Sequence, residues 1–235
     1  MKIIVYRNNN DIDIEFLDDF RYVKKHNTYS NFKSGSVKNP YDRTLFGVGY
    51  LGDGEYMARK NHKMEDSYEI WSKIIERCYW YPQKYPAYHG KCIVCDKWHN
   101  YQNFAKWFNE NKYEVEGRLH IDKDILFPNS NIYSEETCLL VPQIINMMFM
   151  NKPNKRGLPN GIHKSRNGYL AEYNEKKLGI YQTVELAYKA YASEKEKAIR
   201  QLAEEYKNII PGKVYNALYA YRFDINNDKN YKKSA

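Results

Sequence analysis

The stretch LHIDKDILFPNSNIYSEETCLLVPQIINMMF, Leu119 to Phe149, constrains this chain most, because it dictates an order of elements rather than one element. RLHIDK reads as a strand, FPNSNIYSEE as a polar loop, TCLLV as a second, apolar strand and PQIINMMFMN as a short helix. Residues two apart on a strand share a face, so His120 and Asp122 point the same way, and Asp124 continues that face if the strand persists. Pro142 suits the first helical position, where its missing N–H is no loss. With Ile144, Ile145, Met148 and Phe149 facing a core, Asn146 is left to point back toward the strand. A histidine, two aspartates and an asparagine brought together offer a general base and hard ligands for a divalent cation. The alternative is an Asp-Lys-Asp surface turn with a salt bridge, followed by an incidental helix asparagine.

The rest of the chain reads in pieces around that stretch. Residues 1–46 form an N-terminal arm: KIIVY is a short strand candidate, and KKHNTYSNFKSGSVKNPYDR is polar, basic and rich in turn formers. Residues 47–150 form a compact module. In it GVGYLGDGEYMA predicts a hairpin turning at Gly-Asp-Gly. EDSYEIWSKIIERCYW predicts a helix with Tyr68, Trp71, Ile75 and Cys78 on one face and Asp66 and Glu69 spaced as a capping box. HNYQNFAKWFNEN repeats the stripe with Tyr101, Phe104, Trp107 and Phe108, aromatic residues expected in a core. A Pro/Gly/Asn/Lys linker spans 151–160, a sheet-helix domain 161–223 and a frayed tail 224–235. In the sheet-helix domain, Asn167-Gly168 marks a hairpin turn, and Tyr169, Ala171 and Tyr173 share a strand face. Thr183 caps a long helix with Ala187, Tyr191, Ala198, Leu202 and Tyr206 along its stripe, and a further helix starts at Pro211. The fold class is therefore α+β.

The chain carries 37 Lys plus Arg against 29 Asp plus Glu, a formal charge of +8, and 24 tyrosines. Cations interleaved with rings fit a polyanion, because Lys and Arg neutralise phosphates while rings pack on sugars and bases. A basic, tyrosine-rich solvated surface is the plain alternative. No apolar run approaches the roughly 20 residues of a membrane span, and the start of the chain lacks a signal-peptide core. Location in the cytoplasm and no membrane partner are therefore expected. Cys78, Cys92, Cys95 and Cys138 are expected as reduced thiols. KCIVC is one knuckle where a zinc ribbon needs two, so structural zinc is not expected.

YEIWSKIIERCYW, VCDKWHNYQNFAKWF, LHIDKDIL, YSEETC and an Asn-bearing helix follow one another in an order that resembles the HNH-type endonucleases of phages and mobile elements. The resemblance runs from about Gly47 to Met150. It implies a ββα-metal core with flanking helices and a phage protein at work in the bacterial host cytoplasm. It implies Asp122 and Asn146 as ligands of one Mg²⁺ or Mn²⁺, with Asp124 as a further ligand, Lys123 beside the phosphate and His120 as general base. The family's central Asn is Thr137 here, Glu135 stands for its Pro, and a second site histidine is absent.

GIHKSRNGYLAEY followed by KKLGIYQTVELAYKAY is similar to the plant ethylene-response-factor (APETALA-type) DNA-binding domain, most specifically from Leu178 to Ala187. That likeness implies a three-stranded antiparallel sheet laid in the major groove of double-stranded DNA. His163, Lys164, Arg166, Glu172, Lys176 and Lys177 would face outward, Tyr169 takes the place of the family's Trp, and Arg156 joins the contacts just upstream. The two likenesses together imply a metal-dependent HNH endonuclease of phage or homing type, monomer or homodimer, that nicks DNA by hydrolysing one strand per encounter. The alternative is a decayed HNH fold, marked by Thr137, acting as a DNA-binding regulator or anti-defence protein.

Overall fold

A computed structural model describes residues 1–231, and they divide into two compact units, Met1–Glu110 and a second beginning at Asn111. The class is α+β, with small antiparallel sheets beside helices. No helix among the described residues is long and apolar enough to cross a membrane.

The first unit begins with a sheet of three consecutive antiparallel strands, β1 (Lys2–Asn8), β2 (Asp11–Glu15) and β3 (Val23–Asn27). The helix α1 (Tyr29–Ser34) follows, capped by the Thr28 hydroxyl and ended at Gly35, whose φ of +70° suits glycine. The segment read as a polar arm is therefore ordered. Ile12 and Ile14 of β2 are fully buried and join Val37 in a small core. Between them Asp13 is 5 % exposed and its lost hydration is replaced: Arg7 donates to both its oxygens at 2.9 Å, and the His26 N–H donates at 3.0 Å. The Arg7 guanidinium and these hydrogen bonds hold the Asp13 carboxyl well below the usual carboxylate range. A depressed folded value means that the stabilisation is complete above the unfolded value, about 3.9, and is lost as pH falls below it. Asp13→Asn is expected to flatten this acid limb in melts followed by circular dichroism between about pH 5 and about pH 2. An acid limb of unchanged slope would count against the assignment.

Next come a short hairpin, β4 (Arg59–Lys60) and β5 (Lys63–Met64), and the helix α2 (Asp66–Tyr79). The hairpin expected at Gly-Asp-Gly is not there. Instead Gln102 satisfies that segment's backbone, accepting from the Tyr56 N–H and donating to the Leu51 and Tyr56 carbonyls. A Cβ at Gly52 or Gly54 would come within 2.2 Å of Asn100 or 2.4 Å of Gln102, so glycine permits this close wrap. The turn falls at Asn61-His62, both at positive φ. On α2, Trp71, Ile74, Ile75 and Cys78 are buried. The capping box does not form, because Glu65 is the cap residue and the Glu69 carboxylate binds Lys73 one turn on. The strand β6 (Ile93–Val94), a 3₁₀ turn over Asp96–His99 and α3 (Tyr101–Asn111) follow. The stripe Tyr101, Phe104, Trp107 and Phe108 is buried, as the spacing predicts, around Trp98 and Trp71. The Trp71 indole donates to the Trp98 carbonyl at 2.7 Å.

The second unit holds an antiparallel ribbon of β7 (Leu119–Asp122) and β9 (Leu139–Pro142), with the two-residue strand β8 (Ile132–Tyr133) in the intervening loop. The short helix α4 (Gln143–Met148) starts directly after Pro142, which is the cap rather than the first helical residue. Then come β10 (Ile162–Ser165), β11 (Gly168–Tyr173) and β12 (Lys176–Tyr181), the long helix α5 (Val184–Glu205) and α6 (Gly212–Ala220). The Thr183 hydroxyl caps α5 by accepting from the Leu186 N–H. The first hairpin loop is Arg166-Asn167, with Gly168 at φ +133° paired to Ser165, one residue earlier than the Asn-Gly spacing predicts. The second loop, Asn174-Glu175, has both φ values positive.

One helix serves two cores. Ala187, Tyr188, Tyr191 and Ala192 in the first half of α5 pack on Ile162 and Ala171 of the sheet. Ile199 and Ala203 in its second half pack with Leu139, Val141, Ile145 and α6 residues Val214 and Leu218. The expected stripe is therefore half right: Ala198, Leu202 and Tyr206 are only half-buried, because the buried face shifts between the two cores. Residues 151–160 are not a loose linker. Asn154 N–H donates to Asn230, Asn160 N–H to Asp228, and the Asn230 amide to the Lys152 carbonyl. Asp228 and Asn230 are buried, so the tail is tied down through Tyr231, and the rest of the expected frayed tail, 232–235, lies outside the described residues.

Candidate functional site

Register builds the site. His120 pairs with Val141 and Asp122 with Leu139, so the two side chains leave β7 on one face, as their spacing predicts. Because Pro142 ends β9 and α4 begins at once, Asn146 lies on the first turns of the helix and returns toward β7. Its amide Nδ2 is 3.5 Å from His120 Nδ1, the outer limit of a hydrogen bond. Ile145 is fully buried and fixes the roll of α4, whereas Ile144, expected in the core, is 49 % exposed. Neighbouring helical residues point about 100° apart, and α4 turns its Ile144 side to solvent.

β7 stops at Asp122, so Asp124 does not continue its face. An Asx turn replaces the strand, with Asp122 Oδ1 accepting the N–H groups of Asp124 and Ile125, each at 2.8 Å. Among the described residues no hydrogen bond reaches Asp122 Oδ2. The carboxylate is 8 % exposed, and burial pushes it up to about 6, a shift the neighbouring charge of Asp124 increases and the two N–H groups and Lys123 reduce. Lys123 is itself buried. Its ammonium bonds Asp124 Oδ1 at 2.8 Å and the Ser130 carbonyl, and lies over the Tyr133 ring. That lysine braces the loop from inside, and its partner Asp124 is turned toward it.

Two further residues shape the site, one faintly marked in the sequence and one with no local sign there. Thr137 accepts the Ser134 N–H at 3.1 Å and donates to the Ile132 carbonyl at 2.8 Å, stapling the loop across its base. The Ser-x-x-Thr spacing of Ser134 and Thr137 is the only hint of it. Tyr221, just past α6, packs edge-on against Phe149 at 4.8 Å. Burial first, then the charges of Asp122 and Asp124, push its phenol up. Nothing near Asp122 in the chain announces that neighbour. Cys138, beside the site on the strand side, is buried and its thiol is pushed up to about 12.

On the C-terminal sheet, alternation sorts the expected DNA contacts. His163, Leu170 and Ile180 lie across one face, with Glu172 opposite Lys177 beside them. Tyr169 falls on the other face with Ala171 and packs against the helix-side core. Lys176 also leaves from that side and pairs with Glu194 of α5 at 2.8 Å, which removes it from the outward set. Lys164 shares the register of Tyr169 yet is exposed on the edge strand. Arg166 is exposed at the hairpin tip and Arg156 in the 151–160 segment.

For a metal, the fit is to oxygen. Asp122 Oδ2 and the Asn146 side-chain carbonyl are hard donors, and a cation that keeps several waters needs few protein ligands. His120, Asp122 and Asp124 do not bring three ligand atoms within 4.8 Å of one another. Among the described residues one trio does, Asp11, Asp13 and His26, where Arg7 already pairs with both carboxylates. The four cysteines are free thiols. No family model, curated protein or solved structure matches the chain.

Proposed function

We propose that the protein is a metal-dependent DNA endonuclease of the HNH type whose ββα core is β7, β9 and α4. The observation that carries this reading is the approach of Asn146 to His120 at 3.5 Å across that unit, with Asp122 on the same face of β7. Asp122 and Asn146 would hold one Mg²⁺ or Mn²⁺, which when bound would supply charge neutralisation at the scissile phosphate and the departing oxygen. His120 takes the proton from the attacking water, and the Asn146 amide orients the ring for it. Lys123 and Thr137 keep the loop shaped around Asp122. One site cuts one strand, so a nick is the product. Duplex DNA as partner fits the +8 charge, and cytoplasmic action in a phage-infected cell is the setting the sequence likeness implies.

In a supercoiled-plasmid assay, Mg²⁺ or Mn²⁺ should support nicking that EDTA abolishes, and His120→Ala should lower the rate by roughly 10²–10⁴-fold. A wild type that binds plasmid but cuts with neither metal would establish the second reading, a DNA-binding regulator. The observation favouring that alternative is the commitment of Lys123 inside the loop rather than toward a substrate.

A further inference from the structure

The outer face of the β10–β12 sheet carries a feature the nuclease chemistry does not use. Pairing sets His163 opposite Leu170 and Leu170 opposite Ile180, one row running across all three strands. The matching row on the other face, Ile162, Ala171 and Gly179, is covered by α5. Leu170 is half-buried and Ile180 is 51 % exposed, so an apolar strip lies in the middle of a solvent-facing sheet. The hairpin end beside that row is basic. Arg166 is exposed at its tip and Lys164 on the edge strand, whereas Lys177 lies toward the far loop, across from Glu172. None of the three has an ion-pair partner among the described residues. The acids, Glu172 across from Lys177 and Glu175 at the far loop, lie toward the opposite end.

One ligand meets both demands. Duplex DNA presents phosphates along the groove edges and, on the major-groove floor, a single apolar group, the C5-methyl of thymine. A row across three strands about 4.8 Å apart spans roughly 10 Å, which a groove roughly 12 Å wide admits. Duplex RNA lacks the methyl and has a major groove too narrow to enter.

We infer that Leu170 and Ile180 read thymine methyl groups in the major groove, making them specificity-determining residues with a preference for thymine-bearing DNA. The inference rests on the DNA-binding part of the proposed function. It extends to 5-methylcytosine, which places the same methyl at the same groove position.

The test is fluorescence anisotropy of the full chain in EDTA on an alternating d(AT) duplex and on the same duplex with deoxyuridine for thymine. Wild type should bind the uracil duplex more weakly, by about fourfold for each methyl group that Leu170 or Ile180 no longer covers. It should bind a d(GC) duplex more tightly once its cytosines are 5-methylated. Leu170→Ser and Ile180→Thr lie on the solvent side, so melting should hold while the thymine preference shrinks toward one, which separates methyl recognition from altered duplex shape. Salt-dependent binding with equal affinity for the thymine and uracil duplexes would overturn the inference and leave the DNA reading intact. Absence of salt-dependent binding to every duplex would overturn the DNA reading itself. Variants that keep the wild-type thymine preference but turn a dimer into a monomer in light scattering would assign the row to self-association and overturn the inference.

Discussion

Asp122→Asn is expected to abolish metal-dependent nicking and, in EDTA at neutral pH, to make the protein more stable. The two effects have one cause. The carboxylate is 8 % exposed, and burial pushes it up to about 6. A folded value above the unfolded one means the folded chain binds the extra proton, so the contribution of Asp122 to stability is greatest in acid and declines as pH rises from about 3.9 through the folded value near 6. Above that window the ionised group stays buried at full cost. Asparagine keeps the Oδ1 acceptor that the Asp124 and Ile125 N–H groups use, and it removes the charge. Its buried NH₂ returns part of the penalty, so the net gain should be about 1–2 kcal/mol at pH near 8. Urea titrations at neutral and acid pH read this directly, and the gain should vanish near pH 4 (about the unfolded value). Added Mg²⁺ should stabilise the wild type and leave the variant unmoved. A variant less stable than wild type at neutral pH would sink the account.

What the sequence made legible is what alternation and helical spacing control. The aromatic faces of α2 and α3, the β7–β9–α4 order and the sheet followed by a Thr-capped helix all follow from local periodicity. His120, Asp122 and Asn146 were readable for the same reason. Asp124 was not, because an Asx turn competes with strand continuation once Asp122 can bond its own backbone two residues on. The N-terminal sheet was hidden because its buried Asp13 is balanced by Arg7 and by a backbone N–H 13 residues away. Lys176 and Lys177 are neighbours on one strand and cannot both face outward, so period-two alternation already separated them. Tyr221 and the double duty of α5 are tertiary facts. Periodicity says which residues of a helix are buried, not against which core.

Ile199→Ala should be among the most damaging single changes outside the site, and its effects should reach both cores. Ile199 is 2 % exposed on the second half of α5 and packs with Val141 of β9 and Ile145 of α4. Truncating a buried isoleucine costs about 2–5 kcal/mol, a large share of the roughly 5–15 kcal/mol that holds a domain. Leu186→Ala on the same helix, at a residue 51 % exposed, should stay within about 0.5 kcal/mol of wild type. Were the ribbon and the C-terminal sheet independent modules, Ile199→Ala would loosen only the ribbon. α5 spans both, and a helix propagates order along its length, so weakening one end withdraws support from the other. Amide exchange measured at Val141 in β9 and at Ala171 in β11 should therefore lose protection together and by similar factors. Loss at Val141 with Ala171 unchanged would show two cores that open separately. In the coupled case the strand that carries His120 and Asp122 depends on the helix that supports the sheet, and the β7–β9 ribbon and the C-terminal sheet unfold as one.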